Sequence, residues 1–90
     1  MPLQGLEDLL PSHDPIARLV EAMRAGFEAE HGVDLGSDPL AVQRMQTAAK
    51  QAVGELATLE STDVNLPFIT STANGALHLH ATVTRAQAGI

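Results

Sequence analysis

His78 and His80 lie two residues apart in an alternating stretch, the spacing that puts both imidazoles on one side of a β-strand. A His-x-His pair can begin a zinc or copper site. A third ligand would have to come from His13, His31 or a carboxylate, and the sequence aligns none of them. The expectation is two solvated strand histidines and no metal. Glu60 and Asp63 offer a pair of carboxylates at the start of the same region. Acid–base chemistry also needs a nucleophile or a pocket partner, and none is visible, so both read as solvated side chains. Ser61, Ser71 and Thr72 flank turns, where hydroxyls bond local backbone. No nucleophile, base and orienting group can be assembled, so an enzyme is not expected.

The composition narrows the partners. Ninety residues allow one domain, in which 44% of residues are apolar but only Phe27 and Phe68 are aromatic. The core must therefore come from Leu, Val, Ile, Met and Ala. There is no Cys, which removes disulfides and thiolate metal sites. Eleven acidic residues against five basic ones leave a net charge of −6. That excess argues against nucleic acid, whose phosphates need Lys and Arg, and against an anionic membrane surface. The first residues lack the basic start and apolar run of a signal peptide, and no run reaches a membrane-spanning length. The expected location is cytoplasmic, with no cofactor.

The elements that carry these residues follow from periodicity. Residues 1–13 form a leader with Leu3, Leu6, Leu9 and Leu10, either a short amphipathic turn or a frayed end. Residues 14–90 form the domain. Asp14-Pro15 opens a helix, with Asp as cap and Pro at the first helical position. Ile16, Leu19, Val20, Met23 and Phe27 make its apolar stripe, and Gly32 ends it. Asp38-Pro39 opens a second helix, striped by Val42, Met45, Ala49, Ala52, Leu56 and Leu59. Gly54 inside that helix costs about 1 kcal/mol relative to Ala, and close approach of another backbone is the simplest compensation. The period then changes to two. Val64, Leu66 and Phe68 predict one strand, with Pro67 confined to an edge or to the side that makes no ladder bond. A turn follows at Thr72-Ala73-Asn74-Gly75, and Leu77, Leu79, Ala81 and Val83 predict a second strand. The fold class is α+β: two helices packed on one face of a β-hairpin.

Four blocks carry a family resemblance. Thr62-Asp63-Val64-Asn65-Leu66-Pro67-Phe68-Ile69-Thr70 resembles the TDVNLPYIT run of DnaK-type 70-kDa heat-shock chaperones. Leu79 to Gln87, containing Val83-Thr84-Arg85-Ala86, resembles the family's KVTRAK or KLTRAQ segment, and Asp38-Pro39-Leu40-Ala41-Val42-Gln43-Arg44 its DPLAMQR helix start. Gly32-Val33-Asp34-Leu35 resembles its GIDL loop. The blocks stand in family order over residues 16–87.

The resemblance implies subdomain IIB of an actin-like ATPase half. In the family that subdomain closes over adenosine and is gripped by GrpE-like nucleotide-exchange factors. The family's phosphate loops and catalytic residues lie outside the region matched. Its adenosine clamp is a Glu, a Lys three residues on and a Ser four further, and the matching positions here are Lys50, Val53 and Ala57. One charge is inverted and two hydrogen-bonding groups are gone, leaving with Gly54 a face suited to packing. That face is expected to be covered, either by Leu6, Leu9 and Leu10 of the leader or by a second copy. Arg85 reads either as an exposed terminal side chain or as the family's hinge contact. Two functions follow. The first is a fragment or truncated relative that acts as a non-catalytic binding module docking a GrpE-like factor. The alternative is an interaction protein that forms a homo-oligomer.

Overall fold

The computed structural model describes residues 14–90, so the leader and the contacts expected of it lie outside the described residues. Helix α1 spans Pro15–His31 and α2 spans Pro39–Leu56, with a short 3-10 turn, Leu35–Ser37, between them. Strands β1 (Ser61–Thr72) and β2 (Gly75–Thr84) form an antiparallel two-stranded sheet, and a four-residue helix α3 (Arg85–Ala88) follows. The α+β class and the order of helices and hairpin are as the periodicity predicts.

Both long helices start for the same reason. The Asp14 carboxylate accepts the Ile16 N–H at 2.9 Å, and that of Asp38 accepts from Leu40 and Ala41 at 3.0 and 3.3 Å. Each satisfies donors that a helix start leaves orphaned, with Pro next in line where no N–H is needed. Gly32 ends α1 at φ 70°, a left-handed cap whose N–H reaches Glu28. A fork from Arg24 to Glu21 and Glu28 laces the outer face of α1. The Arg24 hydrogen bond holds the Glu21 carboxyl below its ordinary range. At such exposure the pairing adds little stability.

One apolar cluster joins the elements. Leu19, Met23 and Phe27 of α1 meet Ala41, Met45, Ala49, Ala52 and Leu56 of α2 over Val64, Ile69, Leu79 and Val83 of the hairpin. Leu35 and Ala88 close its two ends. Helix α2 lies along β1, while α1 packs on α2 and α3. No polar side chain is buried among the described residues. Removal of apolar surface from water, worth roughly 1.5–3 kcal/mol per large aliphatic side chain, therefore holds the layers together.

Three expectations are corrected. Leu59 does not extend the α2 stripe: the helix ends at Leu56, and Leu59 is 48% exposed on the way to β1. Phe68 does not point inward with Val64 and Leu66; it is 70% exposed and Ile69 is buried instead. The cause is a β-bulge. Leu66 pairs with Leu79 but Thr70 with Leu77, so β1 carries two extra residues there and the alternation breaks. Pro67, which has no N–H to give a ladder, sits in that bulge.

The third correction is Gly54. Outside its own stretch of helix, no atom of the described residues lies within 4 Å of a Cβ placed there, so no close backbone approach offsets its helical cost. Gly54→Ala is therefore expected to stabilise the chain by about 0.5–1 kcal/mol. Thermal melting should show a rise of about 2–8 °C, as such a gain implies for a domain of this size. A fall would mean that something does pack on that position.

Candidate functional site

The bulge is built from three elements. Arg44 on α2 donates through one terminal nitrogen to the Phe68 carbonyl at 3.0 Å and through the other to the Pro67 carbonyl at 2.9 Å. On the other side, the Phe68 N–H donates to Nδ1 of His78 at 2.7 Å. The two rings also meet edge to face, their centroids 4.7 Å apart. Between these holds Phe68 takes φ 55°, a left-handed conformation uncommon for a bulky side chain. The fork from Arg44 suits two adjacent carbonyls because a planar guanidinium presents parallel N–H groups. The result is an aromatic ring fixed in solvent on the outer side of the hairpin.

A groove of about 670 Å³ lies beside the bulge, between α2 and β1. Its helix wall includes Leu40, Gln43, Arg44, Thr47, Ala48, Gln51 and Glu55, positions three and four apart that share one side of α2. Its strand wall is residues 63–66. Leu40, at the upper end, is 67% exposed. Charge differs between the ends: Arg44 stands by the bulge, while Glu55 and Asp63 stand near the start of β1. Amides, a hydroxyl and small apolar groups line the middle, so the surface can bind, but it gathers no acid–base or nucleophilic set.

The residues singled out by sequence are dispersed. His78 and His80 are both exposed, and His78 spends a ring nitrogen on the bulge. His31 instead lies against the Phe27 ring, 4.5 Å between centroids. Among the described residues no three His, Cys, Asp or Glu side chains are grouped so as to hold a metal ion. Asp63 accepts from the Thr82 hydroxyl at 2.8 Å across the sheet, and Glu60 is exposed at the turn before β1. Ser61 and Ser71 are exposed on β1, and the Thr72 hydroxyl, bonded by the Asn74 N–H and donating to the Gly75 carbonyl, shapes the hairpin turn. Arg85 is exposed at the start of α3, its N–H on the Glu60 carbonyl.

Lys50 and Val53 of α2, with Ala57 capping its end, lie on another side of the helix, about 130° round from the groove at 100° per residue. Lys50 and Ala57 are exposed, and Val53 is half-buried against the core. Cover over this face is thus confined, among the described residues, to the flank that Val53 shares with the core, while Gly54 and Ala57 face outward. Arg44 and the outward Phe68 escape sequence reasoning. The available signal was Pro67, a residue that cannot continue a ladder inside an otherwise regular strand pattern.

The family model described as Hsp70 protein matches residues 12–89, nearly all of the sequence. The chain belongs to the Hsp70 family.

Proposed function

We propose that these residues are the subdomain IIB of an Hsp70-type ATPase half and act as a non-catalytic module that docks a GrpE-like nucleotide-exchange factor. Membership of the family over residues 12–89 carries the reading. The helix–helix–hairpin order is compatible with it. The surface is apt for docking: an apolar core supports a groove between α2 and β1, and Phe68 stands exposed at the bulge. Lys50, Val53 and Ala57, at the positions of the family's adenosine clamp, offer a cation, a half-buried aliphatic and a bare methyl. None of the three can accept a hydrogen bond from a ribose or an adenine through its side chain.

The chain alone is therefore expected not to bind ATP or ADP. Titration with millimolar MgATP, followed by amide shifts, should leave α2 unmoved. Saturable shifts along α2 with an affinity better than ~100 μM, about 5.5 kcal/mol, would overturn the non-nucleotide reading. The second function, self-association, is favoured by one observation: Phe68 and Leu40 are large, exposed apolar side chains on the described surface. Sedimentation across a hundredfold range of concentration separates the two. A constant monomer fits the docking module, and a concentration-dependent dimer fits self-association.

A further inference from the structure

The strand wall of the groove consists of four consecutive residues, 63–66. Neighbours along a strand point to opposite faces, so four in a row form its edge and not a face. β2 occupies the other edge of β1, and none of its residues lines the groove. In an antiparallel pair, every second residue of each strand turns its N–H and C=O away from its partner. For residues 63–66 those outward groups open into the groove.

We propose that this groove binds an extended peptide segment of another protein by strand addition, antiparallel to β1. The segment carries an acidic residue toward its N-terminal end, alternating apolar residues, and a basic residue toward its C-terminal end. The charges come from the two ends of the site. A strand antiparallel to β1 begins beside Arg44 at the bulge and finishes between Glu55 and Asp63. The alternating apolar side chains follow from the floor, where Ala48, Val64 and Leu66 all belong to or pack against the core. Gln43, Thr47 and Gln51 on the facing helix can bond the outer edge of the added strand. Charge selects the occupant. Neither strand of a second copy carries Lys or Arg, so neither brings a cation to the Glu55 and Asp63 end, whereas a partner segment can. Strand addition of this kind takes affinity from main-chain bonds and specificity from the alternate side chains. The groove is the one that lends the docking function its shape, but strand addition at the β1 edge does not depend on that function.

The test is a titration of the ¹⁵N-labelled full chain with the capped peptide acetyl-Glu-Val-Thr-Val-Thr-Val-Lys-amide. Expected are saturable shifts and slowed amide exchange at residues 63–66. N-methylation of alternate peptide amides, in either phase, should in one of the two phases weaken binding at least ~10-fold, because it removes the edge bonds. Exchanging the terminal Glu and Lys should weaken it ~3–10-fold at low salt, an effect that high salt erases. Thr47→Arg, an exposed substitution on the helix wall, should block the site. The proposal is overturned by absence of binding, by equal binding of both N-methylated peptides, or by shifts centred away from β1. Shifts at residues 63–66 that follow chain concentration without peptide would overturn it in favour of a second copy as occupant.

Discussion

Met45→Ala is expected to cost about 2–5 kcal/mol, the range for truncating a fully buried Met. Met45 is wholly buried in the middle of α2, within the cluster that holds both helices to the hairpin. The cost has two parts: transfer free energy of the lost methylenes and sulfur, and a cavity that neighbouring Leu and Val side chains fill only in part. A domain of this size has a total stability of roughly 5–13 kcal/mol, so the variant stands near the edge of folding. Urea unfolding followed by helical circular dichroism should show the midpoint lowered by at least about 1 M. Leu40→Ala, on the same helix but exposed, should stay within about 0.5 kcal/mol of the parent. An unchanged midpoint for Met45→Ala would mean that α2 does not pack through this face.

Arg44→Ala has the second largest expected effect, and it is local. Two charge-assisted bonds from Arg44 hold the carbonyls of Pro67 and Phe68 while Phe68 stands in a strained backbone conformation. Hydrogen bonds to charged groups contribute about 1.5–3 kcal/mol when shielded. These are partly open to water, so about 1–2 kcal/mol is expected for the pair. Without them the bulge relaxes and Phe68 leaves His78. Amide exchange should speed up at residues 66–70 while the buried part of α2 keeps its protection. Arg44→Lys should rescue little, since a single ammonium cannot fork to two carbonyls. Full rescue by Lys, or unaltered exchange, would show that the bulge stands without the guanidinium.

These two residues mark what the sequence does and does not reveal. Met45 was legible because a helical stripe is a local pattern, and burial follows from the spacing alone. Asp14-Pro15, Asp38-Pro39 and Gly32 were legible for the same reason: each meets its partner within four residues. The alternation of Leu77, Leu79, Ala81 and Val83 held because β2 carries no extra residues opposite the bulge. Arg44 was not legible. Its carbonyl partners lie 23 and 24 residues away, and a charged side chain on a helix flank looks like any solvated one. Phe68 was misplaced because strict alternation assumes an unbroken ladder, and the two inserted residues cancel that assumption. Leu35, fully buried in the short 3-10 turn, was missed because three residues carry no periodicity.

The candidate surfaces divide in the same way. Positions 50, 53 and 57 could be placed on one side of α2 from helical spacing. The groove could not, because it needs the relation between α2 and β1, which only the packing of the core supplies. Titratable groups offered no guide either. The described acidic and basic side chains all lie outside the core, and the perturbed pair, Glu21 and Arg24, is a surface ion pair on the far helix.

The docking function rests most directly on one measurement: calorimetry of the chain with the GrpE-like exchange factor of the same source, at low and moderate salt. The proposed subdomain, standing alone, offers less than a standard interface of ~1,600 Å², and a net charge of −6 opposes an acidic partner. The binding predicted is therefore weak, with Kd from roughly 10 μM to 1 mM, or about −4 to −7 kcal/mol, and it strengthens as salt screens the repulsion. Saturable heat in that range, with amide shifts on α2 and the hairpin, is the predicted result. Absence of both heat and shifts at several hundred micromolar would contradict docking and leave self-association as the function of the chain.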